Sequence, residues 1–129
     1  SCKEYAGIKP ACFLLGGETT VTVKGPGKGG RNQHVALSAL CELANTSEPN
    51  NSNKITFLAA GTDGTDGPTD AAGAIADSDV LVKAIELQLD PAKYLEENDA
   101  YHFFEQVGGL LKTGATQTNV MDLVVVIVE

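Results

Sequence analysis

The sequence predicts an α/β domain, and three observations support this fold class. Apolar runs of strand length alternate along the chain with longer segments whose apolar residues recur at helical spacing. Glycine-rich or polar loops separate these segments. A length of 129 residues corresponds to one domain that is large enough to bury a continuous core. We therefore predict one layered αβα sandwich over residues 1–129, Rossmann-like, with a mixed and largely covered β-sheet.

The chain begins with a predicted hairpin. Residues 11–15 form an apolar run of strand length, and residues 20–24 alternate at period two with β-branched side chains. Gly16 and Gly17 join the two runs, as expected for an antiparallel hairpin or a sharp corner. This hairpin is the reason for predicting a mixed sheet.

A helix and a central strand follow. Helical spacing of apolar residues predicts a helix from about residue 31 or 32 to residue 43 or 44, with Asn32 as its N-cap. Residues 45–53 form a polar linker, which we interpret as a mobile surface loop. The apolar run of residues 55–60 predicts a buried strand.

The second half of the chain predicts three helices and a closing strand. Small residues at 71–76 predict close packing, and Asp77 or Ser78 is positioned to cap the next helix. Pro91 stands in the favoured first turn of another helix, and Asp99 caps the third. The predicted elements are helices over residues 79–89, 91–97 and 100–107 and a strand over residues 120–128, with residues 124–128 buried on both faces.

The net charge and the short apolar runs argue against nucleic acid and membrane as partners. The formal net charge is −8 with nine Lys and Arg, which argues against a nucleic-acid-binding role that relies on a broad basic surface. The negative net charge does not exclude an anionic small-molecule ligand, because the electrostatic potential within a binding site depends on the charges nearby. No apolar run approaches the roughly 20 residues of a membrane-spanning helix, so we predict a soluble domain without a membrane partner.

The cysteines predict a reducing compartment. Cys2, Cys12 and Cys41 form an odd set without a CxxC pair, and we expect reduced, buried thiols. The chain starts at Ser1 without a methionine, which is compatible with a fragment of a longer protein.

The glycine-rich loop of residues 25–33 is the first candidate site. Its backbone N–H groups, the following helix N-terminus, Lys28 and Arg31 suit a phosphate or a carboxylate. It is not a Walker A loop, because Gly29 stands where the magnesium-binding Ser or Thr belongs and Thr22 where the first glycine belongs. The Arg31 guanidinium offers fork geometry to an anion, with a surface ion pair as the alternative.

Two further polar loops carry candidate ligands. The acidic loop of residues 61–70 follows the central strand, and Asp63, Asp66 and Asp70 suit a shared magnesium ion, with an ordinary turn as the alternative. The third loop, residues 112–119, offers hydroxyl and amide groups to an anion or to its own turns. We assign no role to the isolated His34 and His102.

Four motifs in order resemble one known family. They are GGETTV at 16–21, GGRNQ at 29–33, GTDGTDG at 61–67 and TGATQTNVMDL at 113–123. Together they are similar to the MOFRL domain, the carboxy-terminal domain of class II (2-kinase type) glycerate kinases. The resemblance implies phosphorylation of D-glycerate by ATP and Mg²⁺ to 2-phosphoglycerate. It also implies a cleft shared with a larger amino-terminal kinase domain, so this domain alone is expected to be inactive.

The resemblance assigns roles to individual residues. It implies that Arg31 is the catalytic cation and that Asp63 and Asp66 are the metal ligands. The residues that it places in the substrate or nucleotide site are Gly17, Glu18, Gly29, Gly30, Asn32, Gln33, Asp63, Thr116, Asn119 and Asp122.

Other readings stay open at this point. Some bacterial relatives have been labelled hydroxypyruvate reductases, although no dinucleotide-binding fingerprint is present, and a non-catalytic module that binds an anionic metabolite is the third hypothesis. The location is predicted as cytoplasmic, with mitochondrial as the alternative. The oligomeric state is open, with a homodimer as one option.

Overall fold

The computed structural model describes residues 6–46 and 53–129. Most of the predicted polar linker, and Cys2, lie outside these residues. The elements in chain order are β1 (Ala11–Gly17), α1 (Arg31–Asn45), β2 (Ile55–Gly61), β3 (Gly73–Ala76), α2 (Ser78–Glu86), α3 (Pro91–Glu96), α4 (Ala100–Val107), β4 (Leu110–Leu111) and β5 (Asp122–Val128).

The sheet has five strands in the order β1-β5-β2-β3-β4, and each of these pairings is antiparallel. The α/β class is confirmed, but the prediction of a mixed sheet is wrong. Residues 20–24 were predicted to complete a hairpin with β1, yet they form no strand. The backbone N–H of Lys24 bonds instead to the Asn98 side chain at 2.8 Å. The neighbour of β1 is β5, which comes from the other end of the chain.

The core lies between the helices and one face of the sheet. Phe13, Val126, Phe57 and Ala76 are partners across four strands, and each belongs to, or packs against, a buried apolar cluster. Helix α1 contacts β2 and β3, and its Leu37 and Leu40 are fully buried. Burial of such side chains contributes about 1.5–3 kcal/mol each. Helix α1 is therefore fixed against the centre of the sheet.

The opposite face of the sheet carries an apolar row. Leu14, Val125, Leu58 and Ile75 pair across β1, β5, β2 and β3. Within the described residues, none of the four belongs to a buried cluster, and Leu14 is 70% exposed. The prediction of a largely covered αβα sandwich is thus wrong for this part of the chain, which has helices on one face. Among residues 124–128, Val126 and Val128 are buried and the other three are half-buried, so the prediction that this stretch is buried on both faces is wrong.

Local sequence signals account for the helix ends. Asp77 accepts a hydrogen bond from Val80 N at 2.9 Å, and Asp90 accepts one from Ala92 N at 3.1 Å, with Pro91 opening α3. Each of these two carboxylate caps contributes about 1 kcal/mol. Asp99 stands at the predicted N-cap position of α4, but its side chain makes no capping hydrogen bond, and its Oδ1 accepts from Lys28 N instead.

Two short strands had no strand prediction. The small residues of 73–76 form β3 because this strand lies close to β2, where a Cβ on Gly73 would come within 1.9 Å of the Ala59 carbonyl oxygen. Strand β4 has two residues, too few for a periodic signal. Both strands depend on neighbours distant in sequence.

The thiols differ from the prediction of buried cysteines. Cys12 is exposed, since it lies on the open face of β1, and Cys41 is half-buried. Burial raises the pKa of the Cys41 thiol. Among the described residues, no helix is both long and apolar enough to cross a bilayer.

Candidate functional site

Three strand ends meet at one edge of the sheet. In the strand register, Asp122 at the start of β5 is opposite Gly17 at the end of β1 and Gly61 at the end of β2. Because β5 runs antiparallel between these two strands, its beginning lies beside both of their ends. The glycine-rich segment that follows β1 leads into α1, whose first residue is Arg31. Parts of all three polar loops therefore lie close together.

Arg31 is the only arginine of the chain and is held by two carboxylates. Its Nε and Nη2 donate to Asp122 Oδ2 and Oδ1 at 2.6 and 3.0 Å, which is a bidentate pair. Its Nη1 lies 3.2 Å from Glu18 Oε1. Asp122 is buried, whereas the Arg31 side chain is 40% exposed. The guanidinium is thus held in place by the buried Asp122 carboxylate and remains partly exposed to solvent.

The ion pair shifts the pKa values of both partners. Hydrogen bonding to Asp122 raises the pKa of Arg31 against a smaller opposing effect of burial. Burial acts to raise the pKa of Asp122, but hydrogen bonds from Arg31 and Asn32 and the charge of Arg31 outweigh it. The pKa of Asp122 therefore lies below its ordinary value. Both groups are charged at neutral pH.

Asp66 caps the N-terminus of α1 from another loop. Its Oδ1 accepts from Asn32 N at 3.0 Å and its Oδ2 from Gln33 N at 2.8 Å, and Asn32 Nδ2 adds a third bond. Gly30 occupies the N-cap position, so the prediction of Asn32 as N-cap is wrong. A Cβ on Gly30 would come within 2.2 Å of the Asp66 carboxyl carbon, which explains why a glycine precedes the helix.

This geometry argues against a metal role for Asp66. Both of its oxygens already accept N–H bonds, and the residue is 3% exposed. Asp63 Oδ1 accepts from Thr65 N at 3.0 Å, as in a local turn. Within residues 6–46 and 53–129, no group of three His, Cys, Asp or Glu side chains is arranged to hold a metal ion. Asp66 therefore serves as a helix cap among the described residues, and the metal roles of Asp63 and Asp66 stay predictions.

The acidic and third loops bind each other. Thr116 N donates to the Asp63 carbonyl oxygen at 3.2 Å, and Thr62 Oγ1 accepts from Val120 N at 2.8 Å. Asn119 Oδ1 accepts from Met121 N within its own turn. Thr116 and Asn119 thus bond to neighbouring loop residues, and the sequence analysis gave such bonds within turns as the alternative to binding an anion. Their roles in substrate binding remain predictions.

A cavity of about 430 Å³ lies beside Arg31. Four predicted site residues line it, namely Glu18, Gly29, Gly30 and Arg31. The other predicted residues do not line it, and they are Gly17, Asn32, Gln33, Asp63, Asp66, Thr116, Asn119 and Asp122. Asn32 and Gln33 are buried behind the cavity, where Gln33 Oε1 has no hydrogen-bond partner among the described residues.

Sequence reasoning missed the turn between α3 and α4. Asn98 and Ala100 line the cavity, and Asn98 has a left-handed backbone with φ of 55°. The Asn98 side chain accepts hydrogen bonds from Lys24 N and Gly25 N, which lie more than 70 residues away in the sequence. The signal available in the sequence was an asparagine between two helices, because asparagine tolerates the left-handed conformation. That signal indicates a turn, but it does not indicate that the Asn98 side chain contacts residues 24 and 25.

Comparisons with known proteins show the family to which the chain belongs. The MOFRL family model matches residues 11–122. The chain is 48% identical over 117 residues to the D-glycerate 2-kinase of Thermotoga maritima, covering 91% of this chain and 27% of that protein. It is 49% identical over 117 residues to the glycerate kinase of Rattus norvegicus, covering 88% of this chain and 22% of that protein.

Two crystal structures share the fold. The structure of glycerate kinase from Thermotoga maritima matches with a TM-score of 0.84 and 46% identity, over 94% of this chain and 28% of that one. The structure of the PH0495 protein from Pyrococcus horikoshii matches with a TM-score of 0.80 and 45% identity, over 92% and 26%. The chain spans about a quarter of the length of these relatives.

Asp66→Asn tests the cap on α1. The amide keeps one acceptor oxygen but turns an N–H group toward a backbone N–H of the first helical turn. We expect the free energy of unfolding to fall by about 1–3 kcal/mol in urea denaturation. Asp70→Asn is the matched control, because Asp70 is in the same loop, its ion pair to Lys112 at 3.1 Å is exposed, and an amide oxygen can still accept the hydrogen bond from Tyr101 Oη. Equal stability of the two variants would contradict the capping role.

The Arg31–Asp122 pair predicts a pH dependence of stability. A carboxylate whose pKa is lower in the folded state stabilises fully above the unfolded pKa of about 3.9, and this contribution is lost as the pH falls through the folded pKa. We expect the difference in unfolding free energy between wild type and Asp122→Asn to be largest near pH 6–7 and to shrink below roughly pH 4. A gap that stays constant from pH 7 to pH 3 would show that the charge of Asp122 contributes nothing.

Proposed function

Because the chain belongs to the MOFRL family, we propose that it is the carboxy-terminal domain of a glycerate kinase, an enzyme that transfers phosphate from ATP to D-glycerate to give 2-phosphoglycerate. Relatives named as glycerate kinases are 48–49% identical to it, which supports this reaction. The observation that carries the proposal is the fixed Arg31 guanidinium beside a glycine-lined cavity.

Arg31 suits the demands of phosphoryl transfer. This reaction requires the reacting groups to be held in place and the negative charge of the transferred group to be neutralised. Of the five N–H donors of a guanidinium, three face Asp122 and Glu18, which leaves two for an anionic substrate group. We assign Arg31 the role of binding a carboxylate or phosphoryl oxygen and stabilising its charge.

Asp122 acts through Arg31 in this proposal. It is 4% exposed and holds the guanidinium by two parallel hydrogen bonds, so it determines the orientation of the fork. Glu18 lines the cavity and is 56% exposed, and we assign it a hydrogen bond to a substrate hydroxyl. Gly29 and Gly30 contribute backbone atoms to the cavity wall.

The open apolar face supports a second part of the proposal. In the row of Leu14, Val125, Leu58 and Ile75, Leu14 is exposed and the other three side chains are half-buried. Neighbouring apolar side chains that stay partly exposed offer a surface that a further layer of protein would cover. The relatives are about four times longer than the stretch they share with this chain. We propose that the amino-terminal kinase domain of the full-length protein packs on this face and completes the site. Cytoplasmic location and a homodimer stay predictions.

Arg31→Lys in the full-length protein tests the reaction and the role of Arg31 together. Lysine keeps the charge but loses the fork that matches Asp122 and the substrate. We expect kcat to fall about 100-fold in a coupled assay that detects phosphoglycerate from D-glycerate and ATP. Lys83→Arg is the matched control, because Lys83 is an exposed cation of α2 paired with Glu86.

Two results would count against this reading. An Arg31→Lys variant as active as wild type would remove Arg31 from the reaction. A folded wild-type protein that makes no phosphoglycerate would exclude the kinase, and NADPH oxidation with hydroxypyruvate would then indicate the reductase.

Leu14→Asp tests the packing of the kinase domain on the open face. Leu14 is 70% exposed in this domain, so we expect the substitution to leave the domain folded but to weaken docking and lower the activity of the full-length protein. Val82→Asp on α2 introduces the same charge at another exposed apolar residue and serves as the control. Activity measured beside thermal unfolding separates docking from folding. Equal activity of both variants and wild type would contradict docking on this face.

A further inference from the structure

The glycine-rich segment, residues 22–28, has no regular secondary structure but is tied to a distant turn. Asn98 Oδ1 accepts from Lys24 N at 2.8 Å and from Gly25 N at 2.9 Å. One amide oxygen thus satisfies two adjacent backbone donors. Asn98 Nδ2 lies 3.5 Å from the carbonyl oxygen of Thr22 on the same segment.

The residues on either side of Asn98 extend this contact. Gly27 N donates to the Glu97 carbonyl oxygen at 2.9 Å, and Lys28 N donates to Asp99 Oδ1 at 2.9 Å. The Lys28 carbonyl oxygen accepts from Tyr101 N at 2.9 Å. The segment is therefore bonded along its length to residues 97–101.

The glycines of the segment permit this close contact. A Cβ on Gly25 would come within 2.3 Å of the Glu97 carbonyl oxygen, and a Cβ on Gly27 would come within 2.4 Å of the Asp99 Cβ. Both glycines are thus needed for packing against the turn rather than for a left-handed backbone. The segment and the turn fit each other sterically as well as by hydrogen bonds.

The same turn borders the cavity beside Arg31. Asn98, Gly27 and Gly29 all line that cavity, and Asn98 Nδ2 lies 3.5 Å from His34 Nδ1 on α1. Beyond Lys28, Gly30 packs closely against Asp66, and the Arg31 side chain is held by Asp122. The segment is consequently held at both ends, by Asn98 on one side and by the α1 cap on the other.

We propose that Asn98 is a positioning residue that sets the shape of the substrate cavity by holding the backbone of residues 22–25 in place. It acts through the segment and does not need to touch substrate. The expected change in KM rests on the proposed kinase function, whereas the expected change in amide exchange of the segment does not. A displaced segment lowers substrate affinity in the free enzyme, so the effect falls on KM, unlike the loss of kcat expected for Arg31→Lys.

Asn98→Gly tests the contribution of the Asn98 side chain without changing the backbone conformation that this position requires. Glycine accepts the φ of 55° without strain, so this variant removes the amide and adds no steric cost. Asn98→Asp keeps an acceptor oxygen for the two backbone donors. Gln88→Gly is the matched control, because Gln88 is exposed and has a φ of 57° at the end of α2.

Amide hydrogen exchange on the full-length protein tests the contact directly. We expect exchange of the Lys24 and Gly25 amides to be about tenfold faster in Asn98→Gly, because these two backbone donors lose their acceptor. Asn98→Asp should restore the protection, and Gln88→Gly should match wild type. Unchanged exchange in Asn98→Gly would overturn the proposal whatever the kinetics show.

Steady-state kinetics on the same variants test the consequence for the site. We expect Asn98→Gly to raise the KM of D-glycerate or ATP about tenfold with little change in kcat, since a segment that is no longer held must be ordered when substrate binds. Faster exchange with unchanged kinetic constants would overturn the positioning role. A wild-type protein without kinase activity would refute the proposed function, and the exchange result would then decide on the contact alone.

Discussion

The insertion of β5 between β1 and β2 is the constraint on which the rest of the structure depends. Its seven residues pair with both neighbours along their full length, so the end of the chain joins two strands that are separated by α1 and a long connection. This pairing brings Asp122 beside the ends of both strands. Without it, Arg31 would lack its bidentate partner, and the candidate site would not be assembled at this edge of the sheet.

The candidate site is built from loops, and buried or half-buried polar side chains hold these loops in place. Asp66 satisfies the first N–H groups of α1, Asp122 orients Arg31, and Asn98 holds the glycine-rich segment. Each of these side chains comes from an element distant in sequence from its partner. Such contacts pre-organise a site because the hydrogen bonds are made before substrate arrives. Loops rich in glycine acquire in this way a defined position that their own sequence does not give them.

The two faces of the sheet explain why this domain is compatible with a larger enzyme. One face buries a core with α1 and α4, including the fully buried Phe103 and Phe104. The other face presents an apolar row that helices do not cover within the described residues. A protein layer on that face would bury additional apolar area and add stability that the domain lacks alone.

Several features followed from the sequence by itself. Helical periodicity located α1, α2 and α4, carboxylates marked helix starts at Asp77, Asp90 and Asp99, and apolar runs marked β1, β2 and β5. These signals are local, since periodicity and capping depend on residues within one or two turns. The motifs also indicated the family, because their residues and order are specific, and the family match confirmed it.

The tertiary structure alone decided the strand partners, the open face and the roles of the buried carboxylates. Residues 20–24 alternate as a strand does, but a strand also needs hydrogen bonds to a neighbouring strand. Within the described residues β1 pairs with β5 alone, and the backbone N–H groups of Lys24 and Gly25 bond to the Asn98 side chain instead. Asp66 has the residue type of a metal ligand, yet packing placed both of its oxygens on the N-terminus of α1. Asn98 carried no functional signal, because its contacts join segments more than 70 residues apart. Hydrogen-bond partners across such distances are determined by packing, which a local pattern does not encode.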